Sequence, residues 1–264
     1  MTAAIEVREL LAGTSLPADL VHSLIEGASP LWLLGQSAEQ VAGDLALCHP
    51  ALGSDEVRVI VHPLAEARGH KVSVVAPDRP GLLAGTAGAL AAAGLTIRAA
   101  TASSWPSMGL ALQRVLVDGP VPDRPVAWDF VGDDLRRALT GAGPRFRFTP
   151  CPPVTVSCTD SGGDRVVVTV RAPDRVGLLW AIAAWFEARG CNIEVATAEA
   201  ENGMASDTFV VHGTVDPDAL FTHLAGRPPT PLPWPLTRGL ATGLAVGRSA
   251  LRVAAVPLRA ALRR

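Results

Sequence analysis

Apolar positions along the chain follow one pattern twice. Short β-branched runs at 72–76 and 166–170 read as strands. Each is followed by a turn and then by apolar residues at helical spacing. These are Leu83, Ala87 and Leu90 in the first stretch, and Leu179, Ile182, Ala183 and Phe186 in the second. Asp78 and Asp174 are suited to cap these helices, and Pro80 suits a first helical turn. Gly94 and Gly190 end them, and strands restart at 95–97 and 191–193. A hairpin carries each stretch into a third strand, 110–117 and 208–211, with Asn202-Gly203 as a turn signal. Residues 129–139 and 218–224 predict a second helix in each. Residues 17–49 are mostly helical, and 56–61 and 154–158 add strands.

The two stretches are copies of one another. Ala76-Pro77-Asp78-Arg79 returns 96 residues later as Ala172-Pro173-Asp174-Arg175, and Gly81-Leu82-Leu83 as Gly177-Leu178-Leu179. Ile97 falls on Ile193, and Ala100-Thr101-Ala102 on Ala196-Thr197-Ala198. Further on the offset becomes 94, so that Gly109 meets Gly203 and Val117 meets Val211. Two copies are a tandem domain pair rather than a solenoid. The order β-α-β-β-α predicts an α+β fold of two ferredoxin-like βαββαβ units. No fourth strand is visible after Leu224, and 154–158 is a candidate for that place. The predicted organisation is a helical segment at 1–55, one unit at 56–150, a second at 151–226, and a Pro-rich linker with a basic tail at 227–264.

Composition narrows the function. The chain has 264 residues, 48% of them apolar and 18% charged, with a net charge of -2, so nothing global argues for nucleic-acid binding. The balance hides a basic tail, because seven arginines and no acidic residue follow Asp218. Leu244, Leu251 and Leu258 recur every seven residues there, which predicts an amphipathic basic helix with a weak affinity for anionic membrane surfaces. The apolar run at 239–247 is too short to span a bilayer, and the N-terminus lacks a signal-peptide pattern. Cys48, Cys151, Cys158 and Cys191 form no C-x-x-C pair, so free thiols in a reducing cytoplasm are expected. No metal-ligand spacing, nucleophile elbow or phosphate loop occurs, and no cofactor is predicted.

The A-P-D-R-P-G-L-L and A-P-D-R-V-G-L-L segments, each with a G-x-x-I further on, resemble ACT domains, small-molecule sensing modules of amino-acid metabolism. The tandem arrangement and the preceding 30–49 segment resemble the C-terminal regulatory half of bacterial PII uridylyltransferase/uridylyl-removing enzymes. That resemblance spans residues 28–225 and implies glutamine sensing. It stops short of catalysis. The chain has no G-S-x-A loop with paired acids, and none of its six histidines is followed by Asp.

What the resemblance implies for binding agrees with elementary chemistry. A strand that enters a helix through a Gly-containing turn directs backbone N–H groups outward at the positive helix end, which suits a carboxylate. Asp78 and Asp174 can take an ammonium, and Gly81 and Gly177 let a ligand approach the backbone. Leu82, Leu83, Leu178 and Leu179 complete the two loops. In ACT pairs the ligand also touches the partner copy's second strand, which here means Thr96-Ile97 and Asn192-Ile193. The bland alternative is that Asp only caps and Gly only turns. The second copy is expected to be the better site, combining Asp174 with Asn192, and Trp180 is expected beside its loop.

The chain is therefore expected to be a non-enzymatic, cytoplasmic regulator. It would bind a free amino acid, glutamine first, at the interface of the two copies and act on a protein partner. The alternatives are a detached regulatory subunit of an amino-acid or nitrogen-metabolism enzyme, or a uridylyltransferase relative.

Overall fold

The computed structural model describes residues 2–53, 56–64, 69–119, 126–139 and 147–226. These belong to one compact unit, Met1–Pro228. The predicted linker and basic helix lie outside the described residues.

The chain begins with four helices, α1 (Thr2–Leu11), α2 (Ala18–Gly27), α3 (Pro30–Leu34) and α4 (Ala38–Ala46). A reciprocal capping box starts α4. The Ser37 hydroxyl accepts from the Gln40 N–H, and the Gln40 side chain accepts from the Ser37 N–H. The first copy then runs β1 (Arg58–Pro63), β2 (Gly69–Pro77), α5 (Leu82–Ala92), β3 (Thr96–Trp105), β4 (Leu110–Asp118) and α6 (Trp128–Leu139). The second repeats it as β5 (Thr155–Gly162), β6 (Arg165–Pro173), α7 (Leu178–Glu187), β7 (Asn192–Glu201), β8 (Met204–His212) and α8 (Pro217–Ala225).

All eight strands form one antiparallel sheet in the order β1-β2-β4-β3-β7-β8-β6-β5. The α+β class and the two ferredoxin-like units expected from the sequence are present. One strand differs from the βαββαβ expectation. In each copy the edge place beside the first repeat strand is filled by the strand that precedes it, β1 beside β2 and β5 beside β6. The described unit is thus ββαββα. The reason is local closure. Gly162 and Gly163, at φ 92 and 71, turn β5 straight back onto β6, so the pairing closes a very short loop. Residues 154–158 do supply the fourth strand of the second copy.

The strand period of two sorts side chains between two cores. Val72, Val74 and Ala76 of β2 face the α5–α8 side, while Val75 faces the other. That other face is covered by the N-terminal helices, whose Leu24, Trp32 and Leu45 pack with Trp105, Leu112 and Val210. The Trp105 indole donates to the Leu24 carbonyl at 2.7 Å and meets Trp32 edge-on. Beneath α4, Arg114 of β4 pairs with the buried Asp44 at 2.9 Å and also donates to Gln36. Burial raises the Asp44 carboxyl above its ordinary range, against the pull of Arg114. The helical segment is therefore a third layer, clamped to the sheet by a buried ion pair.

On the opposite face α5 and α7 pack against each other across the two copies. The contact depends on Gly88, where an added Cβ would lie 2.8 Å from Trp180 Cδ1. Trp180 thus sits at the helix–helix crossing. Among the described residues no helix is long and apolar enough to cross a membrane.

Candidate functional site

The two copies meet where β3 pairs with β7, and Thr101 stands opposite its own repeat counterpart Thr197. A pseudo-two-fold axis at this point exchanges the copies, so each βα loop lies against the second strand of the other copy. Two cavities result, one per loop.

The loops are built alike. The N–H of Asp78 donates to the Gly109 carbonyl, and that of Asp174 to the Gly203 carbonyl, both at 2.9 Å. Each loop is thereby tied to the hairpin turn of its own copy. Neither Asp caps a helix. Gly81 and Gly177 are the N-caps, left-handed at φ 81 and 87, with no side-chain hydrogen bond at the cap. The D-R-x-G turn places the carboxylates too far ahead of the helices for capping, so the prediction that Asp78 and Asp174 cap them is corrected. Pro80 likewise precedes the helix. The Gly turn leaves first-turn amides of α5 without an acceptor inside the helix, since the first such acceptor serves Gly85, while in the second copy the Leu178 N–H donates to the Arg175 carbonyl.

The first cavity, about 30 Å³, is lined by Asp78, Gly81, Leu82 and Leu83 and, from the other copy, by Asn192 and Ile193. The second, about 20 Å³, is lined by Asp174, Gly177, Leu178 and Leu179 and, from the first copy, by Ile97. Thr96, a sequence candidate, lines neither cavity. Asp174 and Asn192 do not share a site. The two-fold exchange carries Asn192 to the first loop, and the second loop meets Ile97 and Arg98 instead. Each cavity has the volume of a water molecule or an ammonium group.

Three residues outside the predicted site set the character of the two cavities. Gln113 lines the first cavity, and Asp207 holds the same place in the second. Gln113 pairs with Ala102 and Val74 in the sheet, just as Asp207 pairs with Ala198 and Val170. A signal for both was available. Each is the one polar residue in an inward-facing strand stripe, between Ala111 and Val115 or between Ala205 and Phe209. The third is Glu187, whose carboxylate lies where a Gly81 side chain would begin. Its counterpart beside the second loop is Ala91. The first cavity therefore carries a stopper that the second lacks.

The carboxylates of both loops are perturbed by burial. Burial raises Asp78, against the stabilising Ser104 hydroxyl and Arg79 N–H, and it raises Asp174 against the Arg175 N–H. Asp207 is pushed up to about 7, first by burial and then by the like charge of Asp174. The cysteines are free, and burial raises their thiols, Cys48 to about 12. Among the described residues no cluster of side chains could hold a metal ion. The first cavity gathers Asp78, Glu187, Arg79 and the side-chain amides of Gln113 and Asn192, and the second gathers Asp174, Asp207, Glu199, Arg98 and Arg175.

Fold and site define an α+β pair of ferredoxin-like units with one loop cavity on each side of the shared seam. No family model and no curated protein matches the chain. Among solved structures it is similar to an aspartate kinase from Synechocystis, at 16% identity and a TM-score of 0.34, over 55% of this chain and 24% of the kinase.

Proposed function

We propose that this chain is a non-enzymatic, cytoplasmic regulatory protein that senses a free amino acid at the seam of its two ACT-type units. The observation that supports this reading is the exchange across the seam. Each loop cavity takes its helix-end amides and carboxylate from one copy and its far wall from the other. A ligand held there contacts both copies, so its binding energy depends on how they are arranged, which is what coupling to a second event requires. The ligand's carboxylate would lie on the amides at the start of the helix, and its ammonium on the loop Asp. Glutamine is the first choice, because the repeat resembles a glutamine-sensing regulatory half. A protein partner would read the change.

A thermal-shift screen of the twenty amino acids, followed by calorimetry on those that raise the midpoint, tests this. The expected dissociation constant lies between about a millimolar and a micromolar, the range from which a metabolic sensor can release its ligand. If no amino acid binds at millimolar concentration, the pairing of the two copies is structural and the sensing reading falls.

A further inference from the structure

Asp207 is the feature of the second cavity that a structural role does not explain. It stands in an apolar strand stripe with only 3% of its surface exposed. Among the described residues no hydrogen-bond donor or cation pairs with its carboxylate. The charged groups that line the same cavity are Asp174 and Arg175 from the loop, Arg98 from β3 and Glu199 from β7. Arg98 is engaged by Asp118, at 3.2 Å. Helices α5 and α7 contribute the uncharged Ala91, Leu178 and Leu179, and the strand partners of Asp207 are Val170 and Ala198. A buried carboxylate facing a second carboxylate is costly unless a cation joins them. The cavity that both carboxylates line, about 20 Å³, has room for one ammonium group.

We propose that Asp207 and Asp174 together form an ammonium seat, which makes the second cavity selective for ligands that carry a primary amine. The proposal rests on the amino-acid reading above and names the group that decides selectivity. The first cavity has the neutral amide of Gln113 in the same place, its Oε1 buried without a partner, and can offer an ammonium only an uncharged acceptor. Near neutral pH, where Asp207 of the free protein is partly protonated, filling the seat has a simple balance. The Asp207 proton leaves to solvent, the ligand's –NH₃⁺ keeps all three of its protons, and the two carboxylates share one cation. Affinity therefore rises with pH until Asp207 is ionised in the free protein.

Calorimetry with glutamine at pH 6 and pH 8, and at pH 7 in two buffers of different ionisation enthalpy, tests the seat. With Asp207 titrating near 7, glutamine should bind about tenfold more tightly at pH 8 than at pH 6 and release about half a proton at pH 7. The des-amino analogue, the monoamide of glutaric acid, should bind more weakly and release no proton. Asp207→Asn keeps the shape and removes the charge. It should fold, as judged by its melting curve, and bind glutamine with neither pH dependence nor proton release. Should the wild type bind glutamine equally well at both pH values without proton release, the seat is wrong while the sensing reading stands. Should none of the twenty amino acids bind at either pH, both readings fall together.

Discussion

Thr101 of β3 and Thr197 of β7 face each other in the ladder, and they occupy the same place in the repeat. The chain is thus joined to its own second copy as a symmetric dimer is joined to its partner. Everything at the seam follows from that pairing. Loop 78–83 faces the start of β7, loop 174–179 faces the start of β3, and α5 lies on α7.

Variants of the second loop should separate binding from folding. Asp174→Ala removes one arm of the ammonium seat and should weaken amino-acid binding at least tenfold. Gly177→Val places a β-branched side chain at φ 87, a strain of about 1–2 kcal/mol, and fills the ligand's approach. Its binding should vanish while the melting curve stays cooperative. Calorimetry on the wild type and both variants reads the difference. A Gly177→Val protein that binds as well as the wild type would remove this loop from the site.

Glu187 should set the stoichiometry. Its carboxylate lies against Gly81 at the first cavity, whereas the equivalent place at the second holds the short Ala91. The wild type is expected to bind one amino acid per chain, and Glu187→Ala two. Titration to saturation counts the sites. An unchanged count in Glu187→Ala would show that the side chain does not bar the first cavity.

Gly88 and Trp180 should be coupled in stability. Any side chain at Gly88 meets the indole at 2.8 Å, too close for two carbons. Overpacking of this kind costs about 1–3 kcal/mol, so Gly88→Val should lower the melting temperature by several degrees. Trp180→Leu should rescue part of that loss, and a double-mutant cycle measures how much. Because the indole lies at the crossing of α5 and α7, its fluorescence reports on the arrangement of the copies rather than on loop occupancy.

The Asp44–Arg114 pair should hold the N-terminal helices on the sheet. Asp44→Ala leaves the Arg114 guanidinium in a nearly dry interface without its partner. Breaking a buried pair in this way costs about 3–5 kcal/mol. Chemical denaturation of the variant checks the magnitude, and limited proteolysis shows whether α1 to α4 detach first. Full stability in Asp44→Ala would show that the apolar contacts alone secure the layer.

The ligand-free protein should lose stability as pH rises, for two reasons of the same sign. Asp207 titrates at about 7 in the fold, above its ordinary value of 3.8, so the fold favours its protonated form. That preference is lost as pH climbs from about 4 to 7. Hydrogen bonds that the His212 ring donates to Asp164 and Glu194 raise it above its ordinary value of 6.5. Its contribution is complete below that value and is lost as pH rises through the folded one. Melting temperatures at pH 5.5 and 8 should differ by several degrees, and Asp207→Asn should flatten most of the difference. A wild-type curve that rises from pH 5.5 to 8 would contradict both assignments.

Much of this was legible in the residues. The 96-residue offset identifies the equivalent positions of two units, and the shift to 94 places the hairpins. Helical and strand periods mark α5, α7 and the strands of both copies, because periodicity records which side of an element turns away from water. The A-P-D-R segments mark the loops. What an element packs against leaves no such record. Asp174 and Asn192 lie near each other in sequence, yet the two-fold exchange sends them to opposite cavities. Glu187 reads as an ordinary polar helix end until α7 brings it against Gly81. Residues 17–49 read as a separate helical segment, and only the assembled sheet shows that its second face needs them as cover. The repeat pattern is local chemistry written into one stretch of chain. The site is a relation between two stretches, and it exists only once the sheet has closed across Thr101 and Thr197.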